Sequence, residues 1–182
     1  VRMTVCLDYF YDKPFVTKEE REDPFRAVQY GTFKIFSDGS LGSRSAKLYE
    51  PYSDDPTTTG MLVISQEDLN ERMLKGYEMG LQPAIHCIGD MGLDVVLTAI
   101  EYTLKKSREN GMTEREQKDR LPFRIIHAQM ANPDLIERMT KLPVVLDIQP
   151  SFFLTDMHWI KERVGEKRAA MSYTWKTYMD KG

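Results

Sequence analysis

Five short apolar runs with β-branched residues punctuate the chain: Met3 to Tyr9, Thr32 to Phe36, Pro83 to Cys87, Phe123 to His127 and Val144 to Ile148. Their length and composition predict strands. Between them the apolar positions recur at helical spacing instead. Ser65 is placed as an N-cap with Asp68 at the capping-box position, after which Leu69, Met73 and Tyr77 share a face until Gly80 stops the helix. Leu93, Val96, Leu97, Ile100 and Leu104 repeat the pattern to near Asn110-Gly111. Asn132 followed by Pro133 predicts a third start, with Leu135, Ile136 and Met139 facing one way.

Strands alternating with helices of this length predict βαβ units and a parallel sheet. Two architectures satisfy that pattern, a doubly wound sheet and a barrel. Against a nucleotide-binding doubly wound sheet, Gly39-Ser40-Leu41-Gly42-Ser43 has no helical pattern directly behind it, so no strand feeds a phosphate loop that opens a helix. The chemistry described below favours the barrel. A complete barrel takes roughly 250 residues, so a chain of 182 is expected to be part of one. Val1 opening almost directly on a strand is likewise expected of an internal segment of a larger protein.

With 41% hydrophobic and 29% charged residues the chain has the composition of a globular domain, not of a disordered or collagenous one. The net charge of -3, with Lys and Arg dispersed, offers no footprint for nucleic acid. No apolar run reaches the ~18 residues that suggest a membrane span, so no membrane partner is expected. Cys6 and Cys87 lie in apolar runs and are too few for a disulfide framework, which points to a reducing, cytoplasmic setting.

The polar residues that stand out are at the C-terminal ends of three consecutive predicted strands: Lys34 and Asp38 on the first, His86 on the second, His127 on the third. In a parallel barrel those ends meet at one mouth, where two imidazoles can approach a single ion. Taken singly, each histidine also reads as a hydrogen-bonded core residue. Lys34 interrupts an apolar strand, and a buried ammonium must be neutralised or paired. It is therefore a lysine of depressed pKa, a carbamate, or a side chain turned outward to a neighbouring acid.

The run Lys34-Ile35-Phe36-Ser37-Asp38-Gly39-Ser40-Leu41-Gly42-Ser43-Arg44-Ser45-Ala46, then Pro51-Tyr52, His86-Cys87-Ile88-Gly89-Asp90, Arg124-Ile125-Ile126-His127-Ala128-Gln129, Gln149-Pro150 and Asp156, resembles the amidohydrolase superfamily. The likeness is closest to its amidohydrolase family 3 branch, which includes N-substituted formamide deformylases. The resemblance implies an α/β chain forming part of a (β/α)8 TIM-type barrel, about strands 3 to 7 with their helices, across residues 1–182. It also implies that Lys34, His86 and His127 end strands four, five and six and bind a divalent metal, zinc above all, as one or two ions in the intact protein, with Lys34 carboxylated. The activity implied is metal-dependent hydrolysis of carbon–nitrogen bonds in a small amide-like substrate.

By the same resemblance no catalytic residue lies within the chain, since the His-x-His pair precedes it and the aspartate base follows strand eight. A fragment of this kind is expected to be inactive alone and to self-associate through open sheet edges. Asp38, Ser40 and Arg44 are candidates for substrate binding, although Ser37-Asp38-Gly39 is also good turn chemistry. Asp90 is expected to cap the helix behind it or to orient His86, and Gln129 to support the ligands. Ile126 stands where the family commonly has Glu, and His158 is read as a surface or loop residue. The competing function is a non-catalytic binding or regulatory domain on the same scaffold.

Overall fold

The computed structural model describes residues 3–8, 23, 25 and 28–181. Five parallel strands form one sheet in the order β1-β2-β3-β4-β5: β1 (Met3–Asp8), β2 (Val28–Phe36), β3 (Gln82–Cys87), β4 (Phe123–His127) and β5 (Val144–Asp147). The described helices are α1 (Gln66–Glu78), α2 (Asp90–Glu109), α3 (Glu114–Lys118), α4 (Pro133–Met139), α5 (Pro150–Asp156), α6 (Ile160–Ala169) and α7 (Trp175–Lys181). Spatial order follows chain order without a reversal, so each crossover adds its strand on the same side. A doubly wound sheet reverses at a switch point. This is the winding of a barrel segment, five of the eight strands of a (β/α)8 fold.

Local chemistry fixes the helix ends. Ser65 accepts the Asp68 N–H at 3.1 Å and donates its hydroxyl to the Asp68 carboxylate at 2.9 Å. At the other end of α1, Gly80 takes φ +84, and the bonds Gly80 N to Tyr77 O and Leu81 N to Gly76 O close a Schellman turn. The same pair of bonds ends α2 around Gly111 at φ +104. Asn132 caps α4 by accepting the Leu135 N–H at 2.9 Å. On one face of the sheet Phe33, Ile35, Ile85, Cys87, Phe123 and Ile125 pack against α1, α2 and α4, each at most 5% exposed.

Several expectations shift. β2 begins at Val28 rather than Thr32, β3 at Gln82, and β5 ends at Asp147; Tyr9 lies outside the described residues. Four further helices, α3, α5, α6 and α7, have no counterpart among the expected elements. α3 buries nothing and exists through a capping box between Thr113 and Glu116, while α6 buries only Ile160 and Val164 and breaks at Gly165. α5 and α7 bury no residue fully.

Above the C-terminal ends of the strands lies a second, smaller core. Leu41, Leu48 and Tyr52 from the long β2–α1 connection meet Ile88, Met130, Ile160 and Val164 there. Arg168 of α6 ties it down by donating to Glu50 O and Pro51 O at 3.0 and 2.7 Å. No described helix is long and apolar enough to cross a membrane.

Candidate active site

Strand register sets the site. Phe36 pairs with His86, and His86 with Ile126, so these residues stand at one level at the C-terminal rim. Lys34, opposite Ala84, is two residues deeper, a step of roughly 6.6 Å that a lysine side chain can span. Its ammonium reaches the rim, with Nζ 4.8 Å from the centre of the Phe36 ring.

His127 pairs with Cys87, whose thiol is buried in the helix-facing core. Unbroken alternation would put His127 on that same face, away from His86. Instead His127 and Ala128 take φ of +77 and +42, an unusual conformation for residues with a Cβ. The strand breaks there, and the imidazole comes edge-on to His86 with ring centres 4.9 Å apart. Strained backbone of this sort collects at functional sites because the surrounding structure must hold it in place. Phe36 flanks His86 at 5.1 Å and Phe152 stacks on His127 at 5.7 Å.

Electrostatics keep both imidazoles neutral. Burial drives His86 down to about 3, and the neighbouring His127 and the Lys34 ammonium push the same way. Burial also lowers His127, with Lys34 adding to it and a hydrogen bond to Gln149 opposing. Neutral imidazole is the form that carries a lone pair for a metal. Among the described residues no group of three or more His, Cys, Asp and Glu forms a metal-holding set. The two imidazoles are a pair of nitrogen donors.

The other candidates are placed as follows. Asp38, 2% exposed, faces inward and accepts the N–H groups of Lys47, Ile88 and Gly89 at 2.9, 3.1 and 2.8 Å. Burial still lifts its carboxyl to about 6 against the pull of those amides. Ser40 is exposed, its hydroxyl 2.8 Å from that of Ser43, and Arg44, at φ +56, makes a two-point pair with Asp54 at 3.0 and 2.9 Å. Asp90 follows the N-cap Gly89 and accepts from Tyr49 N at 3.1 Å and Met91 N at 2.9 Å, so it fastens the long connection to the start of α2. Gln129, 3% exposed, donates to Asp156 at 3.0 Å, and Tyr173 donates to the same carboxylate. His158 is exposed.

Residues 3–182 match the model of the amidohydrolase family. The chain belongs to that family. It is 41% identical over 155 residues to YtcJ of Bacillus subtilis (strain 168), a protein assigned to the amidohydrolases by name, and 36% identical over 151 residues to the Protein LONG AFTER FAR-RED 3 of Arabidopsis thaliana. Those matches take in 85% and 82% of this chain but 27% and 24% of the relatives, so the chain spans about a quarter of their length. Among solved structures it is similar to uncharacterized metal-dependent hydrolases from Pyrococcus furiosus (TM-score 0.72, 37% identity) and Pyrococcus horikoshii OT3 (TM-score 0.71, 40% identity). Each of these likenesses covers 85% of this chain, and 30% and 29% of the respective neighbour.

Sequence reasoning passed over three features of this amidohydrolase rim. Arg124 and Asp147 form a two-point ion pair at 2.8 and 2.6 Å, with Asp147 in register with Ile126 and so with His86. The alternation of Phe123-Arg124-Ile125 carries the signal, since Arg124 falls on the face opposite the core. Phe152 belongs to a helix whose aromatic residues are half exposed, which no core-seeking pattern selects. Ser37 is buried and bonds across the strand end to His86 O at 2.8 Å.

Proposed function

We propose that this chain supplies part of the centre of a metal-dependent hydrolase that cleaves carbon–nitrogen bonds other than peptide bonds in small amide-like molecules, with Lys34, His86 and His127 as ligands. The observation that carries the reading is the convergence of the His86 and His127 rings, 4.9 Å apart, with Lys34, whose Nζ lies 4.8 Å from the Phe36 ring that flanks His86. The metal-dependent hydrolases of the two Pyrococcus species support it. Imidazole nitrogen with an anionic oxygen suits zinc, the metal proposed. Lys34 provides that oxygen once its neutral amine has added to carbon dioxide, forming the N–C bond of a carbamate and releasing a proton.

When bound, such an ion polarises a carbonyl and lowers the pKa of water. The chain's own side chains have other tasks. His86 and His127 present lone pairs from fixed positions, the one on an intact strand and the other on a strained bend. Phe36 and Phe152 flank the two imidazoles and hold their rings in place. None of the three ligands is assigned as general base, so the chain taken alone is expected to lack turnover, and its sheet edges at β1 and β5 favour self-association, which light scattering will report.

Calorimetric titration of the full chain with zinc tests the ligand set. Lys34→Met, His86→Gln and His127→Asn are each expected to weaken binding by more than the roughly tenfold to hundredfold that supporting residues contribute. Three variants that bind zinc as the parent does would leave the domain a non-catalytic binding module.

A further inference from the structure

We propose that Asp38 sets the tautomer of His86, taking the proton on Nδ1 so that the lone pair of Nε2 is the one offered to the site. The consequence for metal binding rests on the reading of His86 as a ligand; the hydrogen-bond arithmetic does not.

Nδ1 of His86 is buried and has no hydrogen-bond partner, and the Asp38 Oδ1 atom stands 3.7 Å from it. A buried ring nitrogen without a partner is costly, and the group facing it decides whether it donates or accepts. Here the neighbour is a carboxylate, which accepts only. Oδ2 is fully used by Lys47 N at 2.9 Å and Gly89 N at 2.8 Å. Oδ1 takes Ile88 N at 3.1 Å, and the Ser37 hydroxyl lies 3.4 Å away. That hydroxyl has a single proton, which goes to His86 O at 2.8 Å, the shorter and better bond. One lone pair of Oδ1 is therefore left for His86.

Asp38 cannot easily turn elsewhere. Its carboxylate is held by amides from two loops, and α2 passes so close that a Cβ on Gly92 would lie 2.6 Å from Oδ2. A small rotation of the imidazole closes 3.7 Å to the roughly 3 Å of a charge-assisted bond. A histidine that donates one N–H to a carboxylate is fixed in orientation and made more basic at the other nitrogen, which is how outer partners tune ligands. Asp38 is thus a positioning residue that acts through His86.

The test is the histidine nitrogen spectrum of the full, metal-free chain, which has three histidines. Signals are assigned with His127→Asn and His158→Gln. His86 is expected as the Nδ1–H tautomer; the Nε2–H form, or an even mixture, overturns the proposal. Asp38→Asn gives the second readout. Its amide oxygen keeps two bonds, from Lys47 N and Gly89 N, against the single bond from Ile88 N, so the NH2 is expected to turn toward His86 with loss of the Ile88 bond, making Nδ1 the acceptor and inverting the tautomer. A folded Asp38→Asn chain that keeps Nδ1–H means that Asp38 is only a loop anchor. If that variant does not fold, the parent spectrum decides alone. Zinc titration separates the two readings: Nδ1–H without zinc binding sinks the ligand assignment and leaves the clamp, whereas zinc binding to an Nε2–H His86 does the reverse.

Discussion

The two faces of the same strands differ in kind. Toward the helices, Phe33, Ile35, Ile85, Cys87, Phe123 and Ile125 are sealed and wholly apolar. Across the sheet, Lys34, Phe36, His86 and Arg124 alternate with them, with Phe36 46% exposed and Arg124 ion-paired. One face spends its side chains on burial, which stabilises by roughly 25 cal/mol per Å² of apolar surface. The other carries charge and imidazole, and burial there already holds His86 neutral. The fold is held from one side, which leaves the other free to hold chemistry.

Substitutions that respect or violate this division should separate stability from binding. The largest effect is expected for Phe33→Ala, a fully buried ring, at about 3–5 kcal/mol in denaturant unfolding. Gly76→Ala attacks the same place from α1, because the added Cβ would lie 2.3 Å from the Phe33 ring, and should cost about 1–3 kcal/mol by overpacking. Asn132→Ala, which removes the cap of α4, is expected to cost about 1 kcal/mol in the same measurement. On the opposite face His127→Asn should change stability least, by less than about 1 kcal/mol, since Asn tolerates the positive φ. It should nevertheless abolish most of the zinc affinity. A His127→Asn chain as unstable as Phe33→Ala breaks the division between the faces.

The sheet-forming half of the molecule was readable because its signals are local. Ser65, Gly80, Gly111 and Asn132 declare helix ends, and Phe33-Lys34-Ile35 or Phe123-Arg124-Ile125 declare alternation. The rim was less so. Ser37-Asp38-Gly39 reads as a turn, yet Asp38 is buried because amides of residues 47, 88 and 89 converge on it, and nothing nearby in sequence announces that. Position alone also puts His127 on the wrong face, and only the left-handed break returns it to His86. Phe152, Phe153 and Leu154 form an apolar run too short to show a buried face, and they stand 44%, 42% and 66% exposed on a rim helix.

Substoichiometric manganese added to the full chain tests the convergence of the site most directly, because a paramagnetic ion broadens the imidazole signals nearest to it even when binding is weak. The signals of His86 and His127 are expected to broaden together and ahead of that of His158. Broadening of His158 first, or of only one of the pair, would contradict a shared centre at this rim.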